Sequence, residues 1–248
     1  TRVALGLADD ADDAPLVCLL PGSRKQQIRH VMPFFLRVAE IVKRFREDAR
    51  FVMALSPFVG IDTVERFLSM GSDLGRERAD ESGGRQGLEG ASGRLSAVEG
   101  SPATHIIETD EGVSVLVVSE ARHDAMAASE VAVSMPGTVT AELAYLGVPT
   151  VVAVPLNLPH EVPLTGVVDM LGRIPVIGRP IRRAGVRKAL ARIEFTAIPN
   201  KRQKRMIVPE VRGVLSAEDV AIKVLELLQD KKARDRIAVE LRQAMGQP

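Results

Sequence analysis

The sequence predicts an α/β fold, a parallel sheet with helices on both faces. Short apolar runs alternate with stretches of helical period along the chain. Glycine-containing turns stand between an apolar run and the helix after it, at Pro21-Gly22-Ser23 and again at Pro136-Gly137-Thr138. The 248 residues are 46% hydrophobic and 26% charged, enough apolar material for one large domain or two small ones. When strands and helices alternate in this way, the strands run parallel and the connecting helices cover the sheet.

Leu16 to Leu20 reads as a buried strand, since a strand covered on both faces has no need to alternate polar and apolar residues. From Arg24 to Arg46, Ile28, Val31, Phe35, Val38, Ile41, Val42 and Phe45 fall on one helical face. Phe51 to Leu55 is the next strand and Ile61 to Met70 the next helix. Residues 71–102 are rich in Gly, Ser, Arg and Glu and show no period, so a disordered insertion is expected there. Ser114 to Val118 reads as a strand and His123 to Ala128 as a short helix. Val131 to Ser134 is a strand, Val139 to Leu146 a helix closed by Gly147, and Thr150 to Val154 another strand. Ser216 to Met245 reads as the closing helix, with Ser216 as its N-cap.

Composition narrows the function. A net charge of +1 calls for no polyanionic partner. Aromatic residues make up 3%, with no Trp and Tyr145 as the one Tyr, so platforms for stacking bases are few and no nucleic-acid partner is expected. Cys18 lies in an apolar run and reads as a small buried hydrophobe, which suits a cytoplasmic protein. No apolar run reaches the roughly 18 residues of a membrane span, and Thr1-Arg2-Val3 is unlike a signal peptide. Residues 1–14 are expected to be a linker and 15–248 the domain. No Asp-x-Asp signature occurs outside that linker, and His105, His123 and His160 share no ligand spacing, so no metal and no other cofactor is expected.

In parallel sheets of this kind, ligands bind at the carboxyl ends of the strands. Two turns there are candidates. In the first, Gly22 lets backbone approach a ligand, Ser23 offers a hydroxyl, and Arg24 stands at a helix start. A cation there opposes the helix dipole, a cost that an anion held between Arg24 and the helix would reverse. The plainer reading is a solvent-facing arginine after a tight turn. In the second, Gly137 and Thr138 offer amides and a hydroxyl to a phosphate. Glu142, four residues past Thr138, falls on the same helical side, where a carboxylate can accept from both hydroxyls of a ribose. The plainer reading of this turn is a helix cap with a solvated glutamate. Neither turn is a Walker loop or a Gly-x-Gly-x-x-Gly fingerprint.

Leu20-Pro21-Gly22-Ser23-Arg24, followed by Ile28-Arg29-His30 and Pro33, resembles the opening of the C-terminal domain of the lipid-A-disaccharide synthase family. Gly137-Thr138-Val139-Thr140-Ala141-Glu142 resembles that family's Ser-Gly-Thr-x-x-x-Glu segment, with Val148-Pro149 to Val152 after it. Ile198-Pro199-Asn200 and Val208-Pro209-Glu210 resemble its Pro-Asn and Pro-Glu stretches. The resemblance implies one half of a GT-B architecture, two Rossmann-like domains with the active site between them. It implies a glycosyltransferase that moves a diacylated glucosamine from UDP to an acylated glucosamine phosphate without a metal. Under it, Arg24, Thr138, Glu142 and Asn200 surround UDP, while Gly22, Ser23 and Gly137 supply close backbone.

Two departures qualify that expectation. Pro136 stands where the family usually has Ser, which removes a hydroxyl and an amide from the loop. The N-terminal acceptor domain, home of the family's proposed general base, is absent from the 248 residues. No catalytic residue is therefore assigned, and the chain alone is expected to bind a nucleotide sugar and to turn it over poorly or not at all. The basic stretch 179–205 suits peripheral contact with the anionic inner face of the cytoplasmic membrane; the plainer reading is a packed helix with a solvated basic side. Two other functions stay open: an enzyme using UDP-N-acetylglucosamine with a non-lipid acceptor, and a non-catalytic nucleotide- or lipid-associated module.

Overall fold

The structure is a computed structural model that describes residues 13–77, 90–98, 101–155 and 193–246. The chain runs β1 (Leu16–Leu20), α1 (Lys25–Phe45), β2 (Arg50–Ala54), α2 (Ile61–Glu77), β3 (Gly93–Val98), β4 (Ser101–Thr109) and β5 (Ser114–Val118). It continues α3 (Arg122–Ala127), β6 (Val131–Ser134), α4 (Val139–Leu146), β7 (Thr150–Pro155), α5 (Ile198–Gln203), β8 (Glu210–Gly213), α6 (Ala217–Gln229) and α7 (Lys231–Ala244). The eight strands form one sheet in the order β3-β4-β5-β2-β1-β6-β7-β8.

From β5 to β8 every neighbouring pair is parallel. Taking β1, β2, β5, β6, β7 and β8 as first to sixth in the chain, their spatial order is 3-2-1-4-5-6, the Rossmann arrangement. All five residues of β1 are buried, as its unbroken apolar run requires, because helices cover the sheet above and below. On one side α1, α2 and α6 seal a large cluster that includes Phe34, Phe35 and Val224. On the other, Met126 of α3 and Leu143 of α4 pack on Cys18, Leu20 and Ala132.

Three expectations are corrected here. The sheet is mixed rather than wholly parallel: β3 and β4 extend it as antiparallel strands beyond β5. Residues 71–102 are not a disordered insertion where they are described. Helix α2 runs on to Glu77, and β3 lies within that stretch, anchored where the Ala91 amide donates to the Pro33 carbonyl of α1 at 2.8 Å. The pattern hid β3 because a half-exposed edge strand is held by backbone pairing and needs little apolar content. Residues 78–89 lie outside the described set, as do residues 1–12 of the expected linker.

The third correction is at the chain's end, where two helices replace one. Ser216 is the N-cap of α6 as expected, in a capping box with Asp219. Asp230 then ends α6 and caps α7, its carboxylate accepting from the Ala233 amide at 2.9 Å. Arg234 turns back to donate to the Leu227 and Leu228 carbonyls at 2.6 and 2.7 Å, satisfying groups that the helix end leaves open.

Candidate functional site

In the 3-2-1-4-5-6 arrangement the crevice lies where the chain reverses direction across the sheet, between the first and fourth parallel strands. Here those strands are β1 and β6, paired directly, with Leu20 beside Ser134 at their carboxyl ends. The turns after them are the two that the sequence singles out. They line one cavity of about 250 Å³, in which Gly22 and Ser23 face Pro136, Gly137, Thr138 and Glu142. That is at the small end for ligand sites, which run from roughly 300 Å³ upward, so a nucleotide sugar would extend out of it.

The glycines have distinct local roles. Gly22 has φ +113°, a conformation that favours glycine, and a Cβ there would meet Gln27 Oε1 at 2.2 Å. Gln27, one turn into α1, therefore lies against Gly22 and lines the cavity as well. A Cβ on Gly137 would meet nothing within 4 Å, so its backbone has open space before it. Thr138 begins α4 without a side-chain cap bond, and one turn on its partner Glu142 also faces the cavity.

The rest of the expected set is placed differently. Arg24 is exposed at the start of α1, next to Ser23 but outside the cavity lining, and its side chain makes no capping bond there. Asn200 is fully buried and lines no part of the cavity. Its Nδ2 donates to the Val208 carbonyl and to Glu210 Oε1, both at 2.9 Å. Its Oδ1 accepts from the Ile207 and Val208 amides at 2.8 and 3.0 Å. The side chain is thus used to tie α5 to the segment entering β8.

Glu210 completes that tie, accepting from the Thr196 and Ala197 amides at 2.9 Å and from Arg212. Burial raises its pKa, but bonds from Thr196, Ala197, Arg212 and Asn200 outweigh burial and hold the carboxyl below its ordinary value. Cys18, in the middle of β1, is pushed up to about 12 by burial. It is therefore a packing residue without thiolate chemistry at neutral pH.

Sequence reasoning missed Arg122. It opens α3, at the carboxyl end of β5, lines the same cavity and pairs with Glu142 at 2.8 Å. No glycine or motif marks its turn; the signal was its place just past the carboxyl end of a parallel strand, β5. Phe58, after β2, was also missed; it lines the cavity and is 81% exposed.

Residues 99–160 match the family described as Lipid-A-disaccharide synthetase. That segment holds β5, α3, β6, α4 and the second turn, and hence Arg122, Gly137, Thr138 and Glu142. The likeness is to the lipid-A-disaccharide synthases. A curated lipid-A-disaccharide synthase from Thiobacillus denitrificans (strain ATCC 25259 / T1) is 26% identical over 239 residues, 96% of this chain and 46% of the relative. The chain therefore spans about half the length of the synthase it matches. A solved structure from Listeria monocytogenes, provisionally described as a UDP-N-acetylglucosamine 2-epimerase, overlaps 98% of this chain and 48% of its own at 13% identity, with a TM-score of 0.43. The Rossmann assignment rests on the strand order above and not on that overlap.

Among the described residues, no group of three His, Cys, Asp or Glu side chains is placed to hold a metal ion, and no helix is long and apolar enough to cross a membrane. Of the expected membrane-contact stretch, residues 179–192 lie outside the described set; Lys201, Arg202, Lys204 and Arg205 are described and exposed.

Proposed function

We propose that this chain is the nucleotide-sugar-binding half of a glycosyltransferase of the lipid-A-disaccharide synthase type. The observation that carries the reading is the meeting of the two glycine turns in one cavity at the β1/β6 crevice. The backbone around Gly22 and Gly137, with the Ser23 and Thr138 hydroxyls, offers donors to a diphosphate. Arg24, which has no side-chain partner among the described residues, is free to close on the outer phosphate oxygens. Glu142 takes the ribose. Fixed donors of this kind stabilise the charge that grows on a departing UDP, the task that a transfer without a metal sets the protein.

The donor in this reading is a UDP-sugar such as UDP-2,3-diacylglucosamine, and the acceptor an acylated glucosamine phosphate. The exposed cations from Lys201 to Arg205 suit contact with an anionic membrane surface, where such substrates reside. In this reading catalysis also draws on the half of the synthase that the 248 residues do not span, so the chain alone is expected to bind the donor and to turn it over poorly or not at all.

Calorimetry with UDP, UMP, ADP and GDP tests the reading. Selective binding of UDP in the micromolar to low-millimolar range is expected. Glu142→Ala and Thr138→Ala are each expected to weaken it about tenfold, or ~1.4 kcal/mol. Equal or no binding of all four nucleotides would overturn the reading and leave a non-catalytic module of the same fold.

A further inference from the structure

Glu142 does not sit alone in the cavity. Arg122 Nη1 lies 2.8 Å from Glu142 Oε2, and His123 Nε2 lies 3.2 Å from the same oxygen. His123 Nε2 is also 3.3 Å from Arg122 Nη1. One imidazole nitrogen either donates to the carboxylate or accepts from the guanidinium, so His123 serves one neighbour at a time. The Arg122 contact needs no such choice. It is also the better shielded of the two, since the side chain of Arg122 is 14% exposed and that of His123 63%.

Both contacts fall on Oε2. Oε1 has no partner among the described residues, and the side chain, 32% exposed, lines the cavity. Arg122 Nε is buried without a partner, so the guanidinium acts on its surroundings through its terminal nitrogens. A charge-assisted bond at this length fixes the carboxylate's direction more firmly than a neutral one. One oxygen is occupied and the other is left to accept.

We propose that Arg122 is a positioning residue that sets the site's preference for a ribonucleotide over a deoxyribonucleotide. It does so by holding Glu142 with Oε1 left for the ribose hydroxyls. The inference rests on the nucleotide reading of the cavity. A site built to accept from both hydroxyls discriminates against a ligand that lacks one, because one of its hydrogen bonds is then lost.

The test is calorimetry on the chain with UDP, 2′-deoxyuridine diphosphate and inorganic pyrophosphate, for the parent, Arg122→Gln, Arg122→Lys and His123→Gln, each first shown folded by its melting curve. The parent is expected to prefer UDP over the deoxy ligand by about tenfold. Arg122→Gln is expected to collapse that ratio towards one while leaving pyrophosphate binding unchanged. Arg122→Lys, which keeps the charge and loses the planar reach, falls between, and His123→Gln keeps the parent's ratio. An unchanged ratio in Arg122→Gln would overturn the inference. So would an equal loss on all three ligands, which would make Arg122 a direct phosphate contact. A parent that binds UDP and its deoxy form alike refutes the role of Arg122 alone; a parent that binds neither refutes the nucleotide reading as well.

Discussion

Replacing Asn200 with alanine tests whether that residue serves the fold or a ligand. Its side chain is wholly buried and makes four hydrogen bonds, two to amides, one to a carbonyl and one to Glu210. Alanine strands the Ile207 and Val208 amides. A buried donor left without an acceptor costs about 1–3 kcal/mol. Glu210 keeps its bonds from Thr196, Ala197 and Arg212, so the two stranded amides dominate and about 3 kcal/mol is expected in total. That is a large share of the roughly 5–15 kcal/mol that holds a domain together. In urea, with m of about 2–3 kcal/mol/M, the unfolding midpoint drops by roughly 1 M with m unchanged. Affinity for UDP, measured where the variant is still folded, stays at the parent's value. A loss of stability below about 1 kcal/mol would refute the assignment. So would a fall in UDP affinity with stability intact, which would return Asn200 to the ligand.

Other perturbations follow from the same geometry. The folded carboxyl of Glu210 lies below its ordinary value of 4.5, so its stabilisation is fully present above that pH and is lost as pH falls through the folded value. Glu210→Gln is therefore expected to be less stable than the parent at pH 7, with the gap narrowing in acid; a gap that widens in acid would contradict the sign. Cys18, raised to about 12, should react with Ellman's reagent only as fast as the domain unfolds, and rapid labelling of the folded chain would contradict its burial. Gly22→Ala places a Cβ where Gln27 Oε1 now lies and strains the φ of +113°, so about 1–3 kcal/mol of stability is lost and UDP binds more weakly. Urea unfolding and calorimetry read the two effects separately, and a variant that binds as the parent does would show that the Gly22 backbone is not approached.

The parallel core was legible because fully buried strands write themselves as unbroken apolar runs, as β1 and β7 do. The two turns that line the cavity were legible because each sets a glycine between a buried strand and a helix, and Glu142 because one helical turn separates it from Thr138. Other features leave weaker traces. Strand β3 is half exposed, so burial wrote no pattern on it. Asp230 looks like any surface acid until its bond to the Ala233 amide shows that it starts a helix. Arg122 enters the site through strand order, which brings the end of β5 within reach of α4 and has no local signature. Asn200 was legible as a residue and not as a partner of the chain's own groups. A lone asparagine beside Pro199 reads the same whether its amide meets a ligand or the chain's own amides, and the bonds to Val208 come into view only in the fold.

The pairing of β1 with β6 has a kinetic consequence. Leu16 takes the Glu130 carboxylate as acceptor across 114 residues of sequence, and the two site turns close that same span. Contacts of such separation incur their loop-closure entropy before any reward arrives, so they form late and slowly. The β1–α1–β2 unit has no crevice by itself. Ligand binding during refolding is therefore a clock for the docking of β6 on β1, and it should lag behind the appearance of helix.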